Sequence, residues 1–98
     1  MQEKRVALLG STGSIGTQSL DVCYKHNFKV TALSAHKNVK LMEEQARKFN
    51  PLTVCMTDED AYRSLKQSLA DTDIDVVYGV DSLCEIAQSD DSDIVLNS

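Results

Sequence analysis

Three glycines and two hydroxyls stand where an anion could be held. Gly10, Gly13 and Gly16 are spaced G-x-x-G-x-x-G between the apolar run Val6-Ala-Leu-Leu9 and a segment of helical character, with Thr12 and Ser14 among them. The chemistry these residues offer is binding rather than proton transfer. The first N–H groups of a helix have no intrahelical partners and the macrodipole adds partial positive charge, so a pyrophosphate is stabilised there without a basic side chain. Each glycine has its own expected task. Gly10 turns the chain off the strand, Gly13 lets the backbone approach a ligand that a β-carbon would push away, and Gly16 lets the helix pack closely on the strand. The spacing is one residue longer than the common G-x-G-x-x-G, and no Gly-Lys-Ser/Thr follows, so a P-loop is excluded. A tight strand-to-helix turn without a ligand is the other reading of the same residues.

A second polar group, Ser34-Ala-His36-Lys37-Asn38, follows the next β-rich run. In a dinucleotide fold the end of the second strand lies beside the adenosine ribose, where an acidic side chain accepts from the 2′-OH of NAD. No acid stands here. A 2′-phosphate would be repelled by Asp or Glu and attracted to Lys37, so NADP is preferred over NAD. Taken singly, Lys37 also reads as a solvated charge, His36 as a surface loop residue and Asn38 as an N-cap. His26 ends a helix, where a cation complements the dipole, and has no ligand role. Asp90, Asp91 and Asp93 crowd one turn and read as a solvated loop rather than a metal site.

The chain of 98 residues, 42% of them hydrophobic, has room for one small domain with its own core. A formal charge of −5 argues against a general binder of nucleic acid or membrane surface, which presents a basic field. Cys23, Cys55 and Cys84 are odd in number and widely spaced, suggesting neither a disulfide framework nor a zinc site, and a reducing cytosol is the simplest setting. The first strand begins within about five residues, leaving no room for a targeting peptide, and no apolar run is long enough to cross a bilayer. A soluble, cytoplasmic protein is expected.

Strands and helices alternate along the chain. A strand over Val6–Leu9 leads into a helix from Ile15 that ends near Lys25 to Asn27, and Phe28 to Leu33 alternates as a second strand. Asn38 is placed to cap a helix whose Val39, Met42, Ala46 and Phe49 share one face, with Pro51 as a stop signal. Thr53 to Met56 is a short buried strand. Thr57-x-x-Asp60 then resembles a capping arrangement before a helix with Tyr62, Leu65 and Leu69 inward and Lys66, like Lys48, in water. Ile74 to Tyr78 is a fourth strand, Ser82-x-x-Glu85 caps a helix burying Leu83, Ile86 and Ala87, and Ile94 to Leu96 form a fifth strand. The expected fold is α/β, a Rossmann-like doubly wound parallel sheet in a truncated three-layer α/β/α arrangement. An apolar strand at an open edge is an association hazard, so Ile94 to Leu96 are expected to fray or to pair with another molecule, including a second copy of the chain.

The run Leu9-Gly-Ser-Thr-Gly-Ser-Ile-Gly-Thr-Gln-Ser-Leu-Asp21-Val22, with Ala32-Leu33-Ser-Ala35-x-Lys37-Asn38-Val39 after it, closely resembles the N-terminal NADPH-binding domain of the 1-deoxy-D-xylulose 5-phosphate reductoisomerases. The Gln45 region and Phe49-x-Pro51 fit the same pattern. The resemblance spans the whole chain but only the opening quarter or so of such an enzyme. It implies that residues 1–98 are an incomplete N-terminal NADPH-binding domain, with the catalytic and C-terminal domains absent and the piece inactive by itself. Such an enzyme depends on NADPH and a divalent metal, Mg or Mn. It rearranges 1-deoxy-D-xylulose 5-phosphate and reduces the product to 2-C-methyl-D-erythritol 4-phosphate, on the methylerythritol phosphate route to isoprenoids. The resemblance assigns the pyrophosphate side of the cofactor to Thr12, Gly13, Ser14 and Ile15, and the adenosine phosphate side to His36, Lys37 and Asn38. It places no catalytic or metal-binding residue in this chain; those, with the sugar-phosphate site, would lie beyond Ser98. One position departs: the family commonly has glycine where His36 stands. Rival readings are another NADP-dependent dehydrogenase, such as a semialdehyde dehydrogenase with a catalytic cysteine further along, and a nucleotide-sensing module without turnover.

Overall fold

The apolar run that ends at the first glycine lies inside a sheet, where a strand covered on both faces must be apolar throughout. In the computed structural model, which describes residues 4–97, the elements are β1 (Arg5–Leu9), α1 (Ser14–Lys25), β2 (Lys29–Ala35), α2 (Val39–Phe49), β3 (Thr53–Met56), α3 (Glu59–Ser68), β4 (Asp75–Tyr78), α4 (Gly79–Gln88) and β5 (Ile94–Asn97). The strands form one sheet in the order β4-β3-β2-β1-β5, every neighbouring pair parallel. Each strand up to β4 is laid beside its predecessor. β5 instead returns to the far side of β1, so the strand order reverses there.

Alternation along the strands divides the core in two. Val6, Leu8, Val30, Leu33, Val54 and Met56 face the layer built by α1, α2 and α3, meeting Leu20, Met42, Ala46 and Leu65. Ala7, Leu9, Ala32 and Cys55 face the opposite layer, where Ile86 and Leu83 of α4 cover them. Helices therefore pack on both faces, as a doubly wound sheet requires. Leu8, Leu33, Met42 and Leu65 have no exposed surface, and each contributes about 1.5–3 kcal/mol by burial.

Several local expectations are corrected. β2 runs on to Ala35, and Ser34 is buried within it rather than standing free in the following turn. The cap of α3 is Asp58, whose Oδ2 accepts from the Ala61 N–H at 3.0 Å; Thr57 points elsewhere. α4 starts at Gly79, directly off β4 and three residues before Ser82, with no side-chain cap, because Gly79 takes φ +96° and lets the strand turn at once into the helix. Ala87 lies on the exposed side of that helix, and Tyr62 is only half-buried. Asp93 is not a free member of a solvated loop: its carboxylate accepts from Arg5 Nη2 at 3.0 Å and from the Arg5 backbone N–H at 3.1 Å. β5 does not fray. It pairs with β1 from Val6↔Ile94 to Leu9↔Asn97, with Val95 and Leu96 more than a third exposed at the sheet edge. No helix of the described residues is long and apolar enough to cross a membrane.

Candidate functional site

The turn after β1 is built to one shape by groups from three elements. Gly10 takes φ +79°, a conformation open to glycine and costly for other residues. Its N–H donates to the backbone oxygen of Ser34 at 3.0 Å and to Ser34 Oγ at 3.1 Å. The Ser11 N–H donates to the same carbonyl at 2.8 Å, and Ser11 Oγ adds a weaker contact at 3.4 Å. From α2, Gln45 Nε2 donates to the Ser11 carbonyl at 2.8 Å. The end of β1, the end of β2 and the middle of α2 are thereby tied into one unit.

The glycines on the helix side divide their work clearly. A β-carbon on Gly16 would lie 2.2 Å from the Gly10 carbonyl oxygen and 2.8 Å from Ser11 Cα, so Gly16 packs the helix against the turn itself rather than against the strand. At Gly13, among the described residues and apart from its chain neighbours, the one heavy atom within 4 Å of such a carbon is Gly10 O at 3.8 Å, and φ is −75°. Nothing in the fold of the described residues requires glycine there. Gly13 is also the N-cap of α1 and has no side chain to accept from the helix, so among the described residues no side chain caps the first N–H groups of α1. Thr12 is half-buried, Ser14 is exposed, and neither hydroxyl is hydrogen-bonded among the described residues. Ile15 beside them is 67% exposed, a large apolar side chain in water at the mouth of an uncapped helix.

The second polar turn lies next to the first, because Leu9 and Ser34 are register partners in the sheet. His36, Lys37 and Asn38 are all exposed. Asn38 does cap α2, its Oδ1 accepting from the Leu41 N–H at 3.2 Å, which leaves its amide NH₂ available. Lys37 forms no ion pair among the described residues. The His36 ring is fixed through Nδ1, which shares a hydrogen with Thr57 Oγ1 at 2.8 Å. Asp58, the nearest acid in sequence on the adjoining β3–α3 turn, spends its carboxylate on the cap of α3. Both turns sit over the carboxyl ends of the strands where the strand order reverses, the position at which open α/β sheets take their ligands.

Sequence reasoning placed Thr12–Ile15 and His36–Asn38 in two separate turns, and the fold brings those turns side by side. It missed the positioning groups. Gln45 is 6% exposed, and its signal was a polar residue three positions after Met42 on the apolar face of α2. Its Oε1 is buried without a partner among the described residues. A cleft of about 410 Å³ between α1 and α2, lined by Thr17, Leu41, Gln45 and Phe49, lies in the helical layer and includes none of the residues of the two turns. Among the described residues no group of three or more His, Cys, Asp or Glu side chains is placed to hold a metal ion.

The profile of the 1-deoxy-D-xylulose 5-phosphate reductoisomerase family matches residues 6–98, nearly the whole chain. The chain belongs to that family. Its similarity to the reductoisomerase of Agathobacter rectalis is 49% identity over 96 residues, covering 97% of this chain and 25% of the relative. With the Acetivibrio thermocellus reductoisomerase it is 51% over 83 residues, covering 85% and 22%. This chain thus spans about a quarter of the length of the reductoisomerases it matches. Among solved structures, the Zymomonas mobilis reductoisomerase in complex with NADPH superposes with a TM-score of 0.82 at 35% identity, over 88% of this chain and 23% of that one. A reductoisomerase in complex with magnesium superposes with a TM-score of 0.90 at 31% identity, over 96% and 24%. A further one holds NADPH, fosmidomycin and magnesium together. The parallel five-stranded fold is that of the reductoisomerase structures.

Proposed function

We propose that this chain is the NADPH-binding portion of a 1-deoxy-D-xylulose 5-phosphate reductoisomerase. In this reading residues 1–98 are one incomplete N-terminal domain. The whole enzyme rearranges and reduces 1-deoxy-D-xylulose 5-phosphate to 2-C-methyl-D-erythritol 4-phosphate. The observation that carries the reading is the pairing of an uncapped helix start, open at Gly13, with an acid-free turn bearing Lys37 on the adjoining strand. A β-carbon at Gly13 meets no wall, yet the residue is glycine, which fits a ligand approaching from that side.

Thr12, Gly13, Ser14 and Ile15 hold the pyrophosphate side: backbone N–H groups and two hydroxyls donate, and Ile15 offers an apolar surface. His36, Lys37 and Asn38 receive the adenosine phosphate, with the Asn38 NH₂ and the Lys37 ammonium as donors. When bound, NADPH supplies the hydride for the reduction. The divalent metal and the sugar phosphate belong, in this proposal, to parts of the enzyme outside this chain, and this chain alone is inactive. The same reading places the enzyme in the cytoplasm, with no nucleic-acid partner, and makes the outer edge of β5 a contact with another part of the protein or with a second copy.

Calorimetric titration of the chain with 2′-phospho-adenosine diphosphoribose, and with the analogue lacking the 2′-phosphate, tests the proposal. Tighter binding of the phosphorylated ligand is expected. Equal binding of both, or binding of neither, refutes it for this chain.

A further inference from the structure

The β2–α2 turn is held against the β3–α3 turn by three hydrogen bonds. The Thr57 N–H donates to the Ala35 carbonyl at 3.1 Å, the Asp58 N–H donates to the His36 carbonyl at 3.2 Å, and the His36 ring meets the Thr57 hydroxyl at 2.8 Å. Two of these are backbone bonds and would form with other side chains in place. The third depends on this pair of residues, and its direction decides what the imidazole can do.

A neutral imidazole has one donor and one acceptor nitrogen, and the bond made by one sets the state of the other. If Nδ1 carried the hydrogen, Thr57 Oγ would accept it and the Thr57 hydroxyl hydrogen would have no acceptor among the described residues. If the hydroxyl donates to Nδ1, both atoms are satisfied and the ring hydrogen sits on Nε2. That nitrogen lies on the ring edge away from Thr57, on a residue that is exposed, and has no partner among the described residues. It is then a donor in the uncharged ring, on the same exposed turn as Lys37 and Asn38.

We propose that Thr57 is a positioning residue for recognition of the 2′-phosphate: its hydroxyl donates to His36 Nδ1, fixes the Nε2–H form, and makes a neutral imidazole a donor to the phosphate. The proposal rests on the reading that residues 36–38 receive that phosphate. Thr57 touches no ligand in it. What Thr57 supplies is the orientation and hydrogen placement of a ring that, on a loop of its own, would populate both forms.

The test combines a spectroscopic and a binding measurement on this chain. In ¹⁵N-labelled protein the His36 ring nitrogens are expected to show the Nε2–H pattern, to shift toward a mixture in Thr57→Val, and to return in Thr57→Ser. Titrated with NADPH and NADH, Thr57→Val is expected to lose about three- to tenfold of the preference for NADPH, as for a weakened hydrogen bond to a charged group, with NADH binding unchanged and Thr57→Ser restoring the preference. Thr57→Val in a His36→Gly background is expected to add no further loss. A parent chain that binds NADPH and NADH alike overturns the cofactor reading together with this inference. A parent chain that prefers NADPH, combined with an Nδ1–H ring, an unchanged preference in Thr57→Val, or an equal loss in the His36→Gly background, overturns the inference alone.

Discussion

Gly13 and Gly16 belong to the same motif, and substituting each with alanine should separate holding the turn from binding at it. The Gly16→Ala β-carbon would lie 2.2 Å from Gly10 O, 2.8 Å from Ser11 Cα and 2.9 Å from the Ser11 carbonyl carbon, all backbone atoms in a turn already clamped by Ser34 and Gln45. Relief requires α1 to move outward by most of an ångström. Overpacking against backbone at these distances stands at the top of the usual range, about 3 kcal/mol, and the better helix propensity of alanine returns about 1 kcal/mol, leaving a net loss of roughly 2 kcal/mol. For a domain of this size that is a fall of about 10 °C or more in Tm. The Gly13→Ala β-carbon would have 3.8 Å to its nearest neighbour at an ordinary φ of −75°. There the reduced freedom of the unfolded chain, worth about 0.4–1 kcal/mol, offsets the poorer N-cap, so stability should hardly change. Its methyl group would instead stand where the pyrophosphate is proposed to lie, weakening the ligand by about tenfold or more. Circular-dichroism melts and titration with 2′-phospho-adenosine diphosphoribose read the two effects separately. A Gly13→Ala chain that melts low, or one that binds as the parent does, would refute the division of labour.

Lys37→Ala should weaken NADPH more than NADH, by about tenfold for a lost charge-assisted contact, and equal losses in paired titrations would remove the lysine from 2′-phosphate recognition. Gln45→Glu puts a carboxylate against the Ser11 carbonyl in a buried site; at neutral pH it should cost about 3–5 kcal/mol in denaturant unfolding. Its carboxyl pKa should be raised in the folded chain, so this cost shrinks as pH falls toward 4, where the protonated acid can donate to Ser11 O; a pH-independent loss would contradict the geometry. Arg5 holds the Asp93 carboxyl below its ordinary value of 3.8, mainly through their side-chain hydrogen bond. A lowered folded-state pKa means the stabilisation is whole above the ordinary value and drains as pH falls through the lowered one. Melts of Asp93→Asn should therefore show a shallower acid limb than the parent, and parallel limbs would count against the pair. Burial pushes the Cys55 thiol up to about 11, so in the folded chain a thiol reagent at pH 8 should label exposed Cys84 and spare Cys55.

Much of the fold was legible because the helical and strand periods are cleanly separated in this chain. Val39, Met42, Ala46 and Phe49 describe one helical face, and Thr53–Met56 has no room to be anything but a buried strand. The errors fall where a boundary depends on which of two neighbouring polar residues takes a hydrogen bond. Thr57 and Asp58 are both able caps, and only the fold places His36 where it engages the threonine. Ser82 looks like a cap in sequence, but Gly79 lets β4 pass straight into its helix without one. That a glycine turn follows β1 and a polar, acid-free turn follows β2 was readable from residue types. The clamp behind them, Ser34 and Gln45, was not: a polar residue on the apolar face of α2 marks Gln45 as unusual, but neither it nor a serine in a strand shows which long-range bond it makes.

The return of β5 to β1 bears on the order in which the chain can assemble. From β1 to β4 each strand lies beside the one made before it, so those pairings close short loops and can form progressively from the amino end. The β1–β5 pairing, fastened by Arg5 and Asp93, joins residues 88 positions apart and waits for everything between them. Until it forms, one edge of β1 is open, and that strand leads directly into Gly10. Completion of the sheet beside the glycine turn is therefore a late event in folding. In hydrogen exchange the amides of β5 should open at lower free energy than those of β2 and β3, so that the last strand loosens first while the glycine turn keeps its clamp to β2.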